Sequence, residues 1–138
     1  MSKVPVIAIV DDDDAMRDAL SELVQVMGFA SRPFDCAAAF LAGLAFERFD
    51  CLITDVRMPG MDGIELQRRL RACGSAIPVL MITSVPDPVA RARALDGGAR
   101  AYLIKPVDDS VLLDHLRAAL GLTGEPGGRD DGPASPGG

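Results

Sequence analysis

The sequence predicts an α/β fold in which a doubly wound, parallel five-stranded sheet is covered by helices on both faces. Five short apolar runs recur along the chain, and segments with helical spacing of apolar residues separate them. Most of the runs are continuous rather than alternating, which is typical of strands buried on both faces of a parallel sheet. Strands that alternate with helices form successive βα units, here a (βα)5 arrangement.

The predicted strands follow the apolar runs. The run from Phe29 to Phe34 is weaker and contains Pro33, which cannot donate a ladder hydrogen bond, so we predict an edge strand there. Cys51 lies inside an apolar run and is interpreted as a small buried hydrophobic residue. The other four strands are predicted at residues 6–10, 51–54, 79–82 and 101–104.

Helices are predicted between the strands. Apolar residues from Met16 to Met27 recur at three- and four-residue spacing and define the first helix, which should end at Gly28. The remaining helices are predicted around residues 40–44, with Asp35 as the N-cap, around 66–70, ending at Gly74, at 88–96, and at 112–120 after an acidic start at 108–109.

The chain changes composition at Gly121. Residues 121–138 hold seven of the fourteen glycines, and no large apolar residue follows Leu122. Such a segment buries too little apolar surface to offset the entropy lost on ordering. We therefore predict one domain over residues 1–120 and a flexible Gly/Pro-rich tail or linker over residues 121–138.

Charge and hydropathy exclude several classes of protein. The net charge of -6 argues against non-specific binding to nucleic acid, which requires a basic surface. No apolar run approaches the ~20 residues that a membrane-spanning helix needs. The apolar N-terminal stretch ends in four aspartates rather than in a signal-peptide cleavage site. We expect a cytoplasmic location, with no membrane or direct nucleic-acid partner.

Reactive polar residues follow the predicted strands. The first strand runs into Asp11 and Asp12, the third into Asp55, the fourth into Thr83 and the fifth into Lys105. Ligands of open α/β sheets bind outside these carboxyl ends. Carboxylates crowded there repel one another, and Mg²⁺, which prefers oxygen ligands, relieves that repulsion. A carboxylate nucleophile at Asp55, with Lys105 and Thr83 contacting the phosphoryl oxygens, would suit phosphoryl transfer.

Four motifs at these strand ends resemble the signature of response-regulator receiver domains in order and separation across residues 4–120. They are IVDD at 9–12, TDVRMPGMDG at 54–63, ITS at 82–84 and KP at 105–106. The segment TDVRMP also resembles FixJ-type regulators, in which a receiver precedes a DNA-binding domain. The resemblance implies a flavodoxin-like receiver fold with strand order 2-1-3-4-5, which would place Asp11 and Asp12 beside Asp55.

The resemblance also implies a phosphoacceptor and a metal site. Asp55 would accept the phosphoryl group. Mg²⁺ would be held by Asp11, Asp12, Asp55 and the backbone carbonyl of Arg57. The Arg57 side chain, two residues past the acceptor, could also influence the lifetime of the acyl phosphate by guarding it.

A switch is implied in the same way. Thr83 and Lys105 would contact the phosphoryl group, and Tyr102 would be the switch aromatic that turns inward with Thr83. The Lys105–Pro106 bond would be cis. The segment between Thr83 and the fourth helix carries two prolines where related receivers often have a glycine-containing loop, and we expect it to restrict switching.

The implied function is a signalling module that takes a phosphoryl group from a sensor histidine kinase and turns over no external substrate, so it is not an enzyme. Phosphorylation would change the face formed by helix 4, strand 5 and helix 5, where a homodimer could form. We expect the downstream protein or DNA-binding output domain to lie outside this chain. The expectation is the N-terminal part of a FixJ-like transcriptional regulator, with a stand-alone receiver as the alternative.

Other interpretations remain open at this point. A phosphate-independent interaction domain fits the same fold, whereas a dehalogenase-like phosphatase would need a second acidic residue at the position of Arg57. Asp13 or Asp14 is expected to cap the first helix. Thr83 could cap the fourth helix, and Tyr102 could be partly buried core.

Overall fold

The computed structural model describes residues 4–122 and contains one sheet of five parallel strands in the order β2-β1-β3-β4-β5. The strands are β1 (Val6–Val10), β2 (Ala30–Phe34), β3 (Cys51–Asp55), β4 (Val79–Thr83) and β5 (Ala101–Ile104). The helices are α1 (Asp14–Val26), α2 (Ala37–Gly43), α3 (Gly63–Ala72), α4 (Pro88–Asp96) and α5 (Asp109–Ala119). The predicted fold class and strand order are confirmed. Most of the predicted tail, residues 123–138, lies outside the described residues.

The sheet separates two hydrophobic clusters, which explains why a central strand such as β1 is continuously apolar. Ile7 and Ile9 of β1 pack in the cluster that includes residues of α1 and α5. Ala8 and Val10 alternate with them and pack in the cluster that includes residues of α2, α3 and α4. All four side chains are fully buried. Burying a side chain of Val or Ile size stabilises the fold by roughly 1.5–3 kcal/mol, so both faces contribute to stability.

Four of the five helices begin at an aspartate N-cap. The carboxylate oxygens accept backbone N–H groups of the first turn, at 3.0 Å for Asp13 of α1, 2.8 Å for Asp62 of α3, 3.0 Å for Asp87 of α4 and 2.8 Å for Asp108 of α5. The prediction that Asp13 or Asp14 caps α1 is confirmed for Asp13. Each cap satisfies donors that the helix itself leaves unpaired.

One capping prediction and one alternative interpretation are wrong. The N-cap of α2 is Cys36, which makes no side-chain capping hydrogen bond, and not Asp35. Asp35 precedes the helix by two residues, one position too early to cap it. Thr83 does not cap α4, because Asp87 occupies that position. None of the helices between residues 4 and 122 is long and apolar enough to cross a bilayer.

Candidate functional site

Three carboxylates converge at the ends of β1 and β3. The two strands are neighbours, with Val10 paired to Thr54, so the residues that follow them lie side by side. Asp11, Asp12 and Asp55 each offer a carboxylate oxygen, and these oxygens lie within 4.8 Å of one another. The arrangement expected from the sequence is present. It is a group of hard oxygen ligands of the kind that binds Mg²⁺.

Asp11 is held in place by its neighbours in the chain. It is buried, with 1% of its surface exposed. Its Oδ1 accepts the backbone N–H of Asp13 at 2.9 Å, and its backbone carbonyl accepts Arg17 Nη1 at 2.8 Å. Because Asp13 is also the cap of α1, the start of this helix fixes the direction in which the Asp11 carboxylate points.

Lys105 joins two of the carboxylates. Its Nζ donates to Asp11 Oδ2 at 3.1 Å and to Asp55 Oδ2 at 3.4 Å, and its side chain is 12% exposed. Its backbone N–H donates to the carbonyl of Thr83 at 2.8 Å, which fixes the end of β5 against β4. The Lys105–Pro106 bond is cis, as the resemblance implied. A single ammonium group therefore neutralises part of the charge at this site.

The electrostatics of the site follow from burial and charge. Burial raises the pKa of Asp55, the charge of Lys105 opposes this, and the nearby Asp11 adds to it, so the net shift is upward. Burial lowers the pKa of Lys105, but the hydrogen bond to Asp11 and the charges of both carboxylates outweigh it and raise the pKa overall. The ammonium form of Lys105 is thus favoured, while ionising Asp55 costs more free energy in the fold than in water.

Gly63 brings α3 close to the acceptor. A Cβ atom at this position would lie 2.4 Å from the backbone carbonyl oxygen of Asp55 and 3.2 Å from Val56 Cα. The Gly63 N–H donates to the carbonyl of Val56 at 2.9 Å, and the Thr54 hydroxyl donates to the Asp55 carbonyl at 2.9 Å. Gly63 ends the motif at 54–63, and its place directly before a predicted helix is the one signal in the sequence for this close approach.

Thr83 is buried, with 1% of its surface exposed. Its hydroxyl donates to the carbonyl of Val85 at 3.2 Å and accepts the N–H of the same residue at 3.1 Å. Ile82, which precedes Thr83, is paired with Asp55 across β3 and β4. Thr83 therefore follows the strand beside the acceptor, and its hydroxyl is engaged by its own loop.

Tyr102 lies on β5, paired with Met81 of β4. The residue is half-buried and packs against the cluster that includes α2, α3 and α4. Its hydroxyl oxygen is buried, and it has no hydrogen-bond partner among residues 4–122. Burying a hydroxyl without a partner is unfavourable. The ring thus packs against this cluster while its hydroxyl oxygen lacks a partner among residues 4–122.

Arg57 contacts a residue that the sequence did not single out. Its side chain is exposed, and Nη2 lies 3.5 Å from Oδ2 of Asp87, the N-cap of α4. The pair joins the segment after Asp55 to the start of α4. An aspartate directly before Pro88 at the start of a predicted helix was the available signal.

The fold agrees with the comparisons to known proteins. Residues 7–117 match the family model of the response regulator receiver domain. The chain belongs to this family, and its site stands at the carboxyl ends of the strands, where the family's acidic residues are expected from the resemblance.

Among curated proteins, the chain is 40% identical over 124 residues to the transcriptional regulatory protein FixJ of Azorhizobium caulinodans, covering 89% of this chain and 58% of that protein. It is 42% identical over 114 residues to FixJ of Bradyrhizobium diazoefficiens, covering 83% and 56%. The chain thus spans a little more than half the length of these curated relatives.

Solved structures give the same assignment. The crystal structure of FixJ-N superposes with a TM-score of 0.81 at 33% identity, covering 88% of this chain and 98% of that one. The chemotaxis protein CheY4 of Vibrio cholerae superposes with a TM-score of 0.79 at 29% identity, covering 86% of this chain and 100% of that one. The chain is a FixJ-like receiver domain.

Proposed function

We propose that this domain is the phosphoacceptor of a FixJ-like two-component regulator and that a sensor histidine kinase transfers a phosphoryl group to Asp55. The observation that carries the proposal is the position of Lys105, whose ammonium group lies 3.4 Å from Asp55 and 3.1 Å from Asp11. A cation held against a half-buried carboxylate at a strand end is suited to receive a phosphoryl group, because phosphoryl transfer depends mainly on positioning and charge neutralisation.

The carboxylates fit a magnesium ion. Asp11, Asp12 and Asp55 supply only oxygen atoms, and two of the three residues retain some exposure, which leaves room for the water and phosphate ligands that Mg²⁺ keeps. These residues and the backbone carbonyl of Arg57 would hold the ion. When bound, it would neutralise charge on the phosphoryl oxygens.

The residues of the chain have separate tasks in the transfer. A carboxylate oxygen of Asp55 forms a bond to phosphorus, while the P–N bond of the donor phosphohistidine breaks and the imidazole nitrogen keeps the electron pair. Lys105 then faces both the new acyl phosphate and Asp11. The Thr83 hydroxyl would leave Val85 and donate to a phosphoryl oxygen. No external substrate is turned over.

Phosphorylation would change the surface formed by α4, β5 and α5. This surface exposes large apolar side chains, among them Val89 of α4, Ile104 of β5 and Val111 of α5, with exposed fractions of 67%, 41% and 41%. Single exposed apolar residues are common on protein surfaces, so the choice of this face follows the resemblance to receiver domains. We propose that a homodimer forms here on phosphorylation, with Thr83 and Tyr102 as the switch residues.

The chain's relatives suggest the output. Two of them are named as transcriptional regulatory proteins and are almost twice as long as the matched region. We propose that the output is a DNA-binding domain outside this chain and that the protein works in the cytoplasm.

The test is the intact mass of the protein after incubation with Mg²⁺ and acetyl phosphate, with Asp55→Asn in parallel. The parent should gain the mass of one phosphoryl group and the variant none. If the folded parent gains no mass in Mg²⁺, the proposal fails, and the phosphate-independent interaction domain becomes the better account.

A further inference from the structure

The two carboxylate oxygens of Asp87 contact different groups. Oδ1 accepts the backbone N–H of Val89 at 3.0 Å and that of Ala90 at 3.4 Å, which caps α4. Oδ2 faces the guanidinium of Arg57 at 3.5 Å. One side chain therefore connects the first turn of α4 with the residue two positions past the phosphoacceptor.

The two prolines of this loop fix the backbone of Asp87. A proline disfavours the helical conformation in the residue before it, and Asp87 precedes Pro88 with φ -145° and ψ 112°. That extended conformation is also the one an N-cap requires. Pro88 occupies the first turn of α4, where its missing N–H costs nothing, and Pro86 restricts the chain on the other side. The loop thus presents the Asp87 carboxylate to Arg57 from a backbone conformation that Pro88 favours.

The ion pair between Arg57 and Asp87 is weak, so another anion can replace Asp87 as the partner of Arg57. Both side chains are partly exposed, at 59% for Arg57 and 36% for Asp87, and their separation exceeds that of a direct hydrogen bond. Exposed ion pairs of this kind contribute little to stability. A phosphoryl group on Asp55 carries more negative charge than a carboxylate and matches the forked donors of arginine. It would therefore be a stronger partner for the same guanidinium.

We propose that Asp87 is a positioning residue for Arg57: it holds the guanidinium on the β4–α4 loop and competes with the phosphoryl group for it, so that residue 87 sets the phosphoryl lifetime through Arg57. The inference rests on the proposed function. When Arg57 is released, it covers the phosphoryl oxygens and hinders the approach of water. Hydrolysis is the step affected: a water oxygen bonds to phosphorus, the bond from phosphorus to Asp55 breaks, and the water protons pass to phosphate and solvent.

The test compares four proteins: the parent, Asp87→Asn, Arg57→Ala and the double variant. Asparagine caps a helix as well as aspartate does, so Asp87→Asn removes the charge while keeping the cap. Each protein is phosphorylated with acetyl phosphate and Mg²⁺, the donor is removed, and loss of the phosphoryl mass is followed with time. We expect Asp87→Asn to slow hydrolysis about threefold, the size of one exposed ion pair, and to have no effect once Arg57 is alanine.

Asp108→Asn is the matched control. Asp108 caps α5 in the same way as Asp87 caps α4, and its carboxylate accepts the N–H and hydroxyl of Ser110. This variant should leave the lifetime unchanged, so a change there would assign the effect to loss of a negative charge at any helix N-cap and overturn the inference. If Asp87→Asn does not fold, Asp87→Ser provides another uncharged capping oxygen.

Two further outcomes decide the matter. An equal effect of Asp87→Asn with and without Arg57, or no effect in the parent, overturns the inference while the proposed function stands. Failure of the folded parent to gain a phosphoryl group overturns the proposed function and this inference with it.

Discussion

Lys105 Nζ lies 3.1 Å from Asp11 Oδ2, which joins two residues 94 positions apart at the ends of β5 and β1. Asp11 is almost completely buried, so its carboxylate depends on this ammonium group and on a backbone N–H for compensation. Removing one member of a buried ion pair leaves the other charge unpaired, and the penalty exceeds the value of the pair itself.

Lys105→Ala should therefore lower the free energy of unfolding by about 2 kcal/mol in the absence of Mg²⁺. Urea denaturation in EDTA measures this. The double variant Lys105→Ala/Asp11→Asn should lose less than Lys105→Ala alone, because no unpaired carboxylate remains at position 11. Strictly additive losses would show that the two side chains are not coupled.

Asp55→Asn should stabilise the metal-free domain. The pKa of Asp55 is raised in the fold, so the fold favours the protonated carboxyl and disfavours the carboxylate. The stabilisation from a protonated Asp55 is full below the ordinary aspartate pKa and is lost as pH rises through the raised pKa. At pH 7, where the parent carries the disfavoured carboxylate, the asparagine variant should therefore be more stable than the parent.

Urea denaturation in EDTA at several pH values tests the direction of this pH dependence. The advantage of Asp55→Asn should shrink as pH falls towards the ordinary aspartate range. An advantage that grows on acidification would contradict the stated electrostatics.

Magnesium should stabilise the domain by binding Asp11 and Asp12, and not by binding Asp13, the adjacent cap of α1. Mg²⁺ at 100 times its dissociation constant should add about 2.7 kcal/mol to the free energy of unfolding of the parent. Asp12→Asn should reduce this gain at the same Mg²⁺ concentration. Asp13→Asn is the matched control one residue away, since asparagine keeps the α1 cap and the proposed metal ligands are unchanged. Equal losses in both variants would place the ion elsewhere.

Gly63→Ala should disturb the acceptor through the backbone. The new Cβ would lie 2.4 Å from the Asp55 carbonyl oxygen, so β3 and α3 must move apart. We expect a destabilisation of about 2 kcal/mol, in the range found for overpacking, together with slower phosphorylation. Gly60→Ala provides the comparison, because Gly60 has a positive φ of 77° but no atom within 4 Å of a Cβ. Gly60→Ala should lower the free energy of unfolding by about 1 kcal/mol through backbone strain, without a close contact to Asp55.

Tyr102→Phe should raise stability. The substitution removes a buried hydroxyl that has no partner among residues 4–122 and leaves the ring packing intact. A gain of about 1 kcal/mol is expected in urea denaturation. Tyr102→Leu, which also removes the hydroxyl but loses ring contacts, should be less stable than Tyr102→Phe. A loss of stability in Tyr102→Phe would mean that the hydroxyl has a favourable partner.

Much of the fold was predictable because the signals are local or repeat at strand ends. Continuous apolar runs such as residues 6–10 indicate strands that are buried on both faces. The acidic residues after β1 and β3 indicate the edge of the sheet at which a site forms. Asp35 was misassigned because a cap depends on which residue begins the helix, and boundaries are the least certain part of a pattern.

The features that sequence reasoning missed depend on three-dimensional distance. Gly63 and Asp55 are eight positions apart, and nothing in their spacing shows that a Cβ would meet a carbonyl oxygen. Arg57 and Asp87 belong to different βα units, and their pairing depends on how the β4–α4 loop turns. The roles of Thr83, Tyr102 and the Arg57 carbonyl stay predictions until phosphorylation is measured.

The position of the Thr83 hydroxyl sets a condition on signalling. The hydroxyl has a single hydrogen, which it donates in a hydrogen bond to the carbonyl of Val85, while its oxygen accepts the N–H of the same residue. That proton cannot serve Val85 and a phosphoryl oxygen at once. If Thr83 acts as proposed, the two arrangements exclude each other, and the loop must give up a satisfied carbonyl to respond. The hydrogen bond to Val85 then favours the unphosphorylated arrangement, and it must break before the Thr83 hydroxyl can donate to a phosphoryl oxygen.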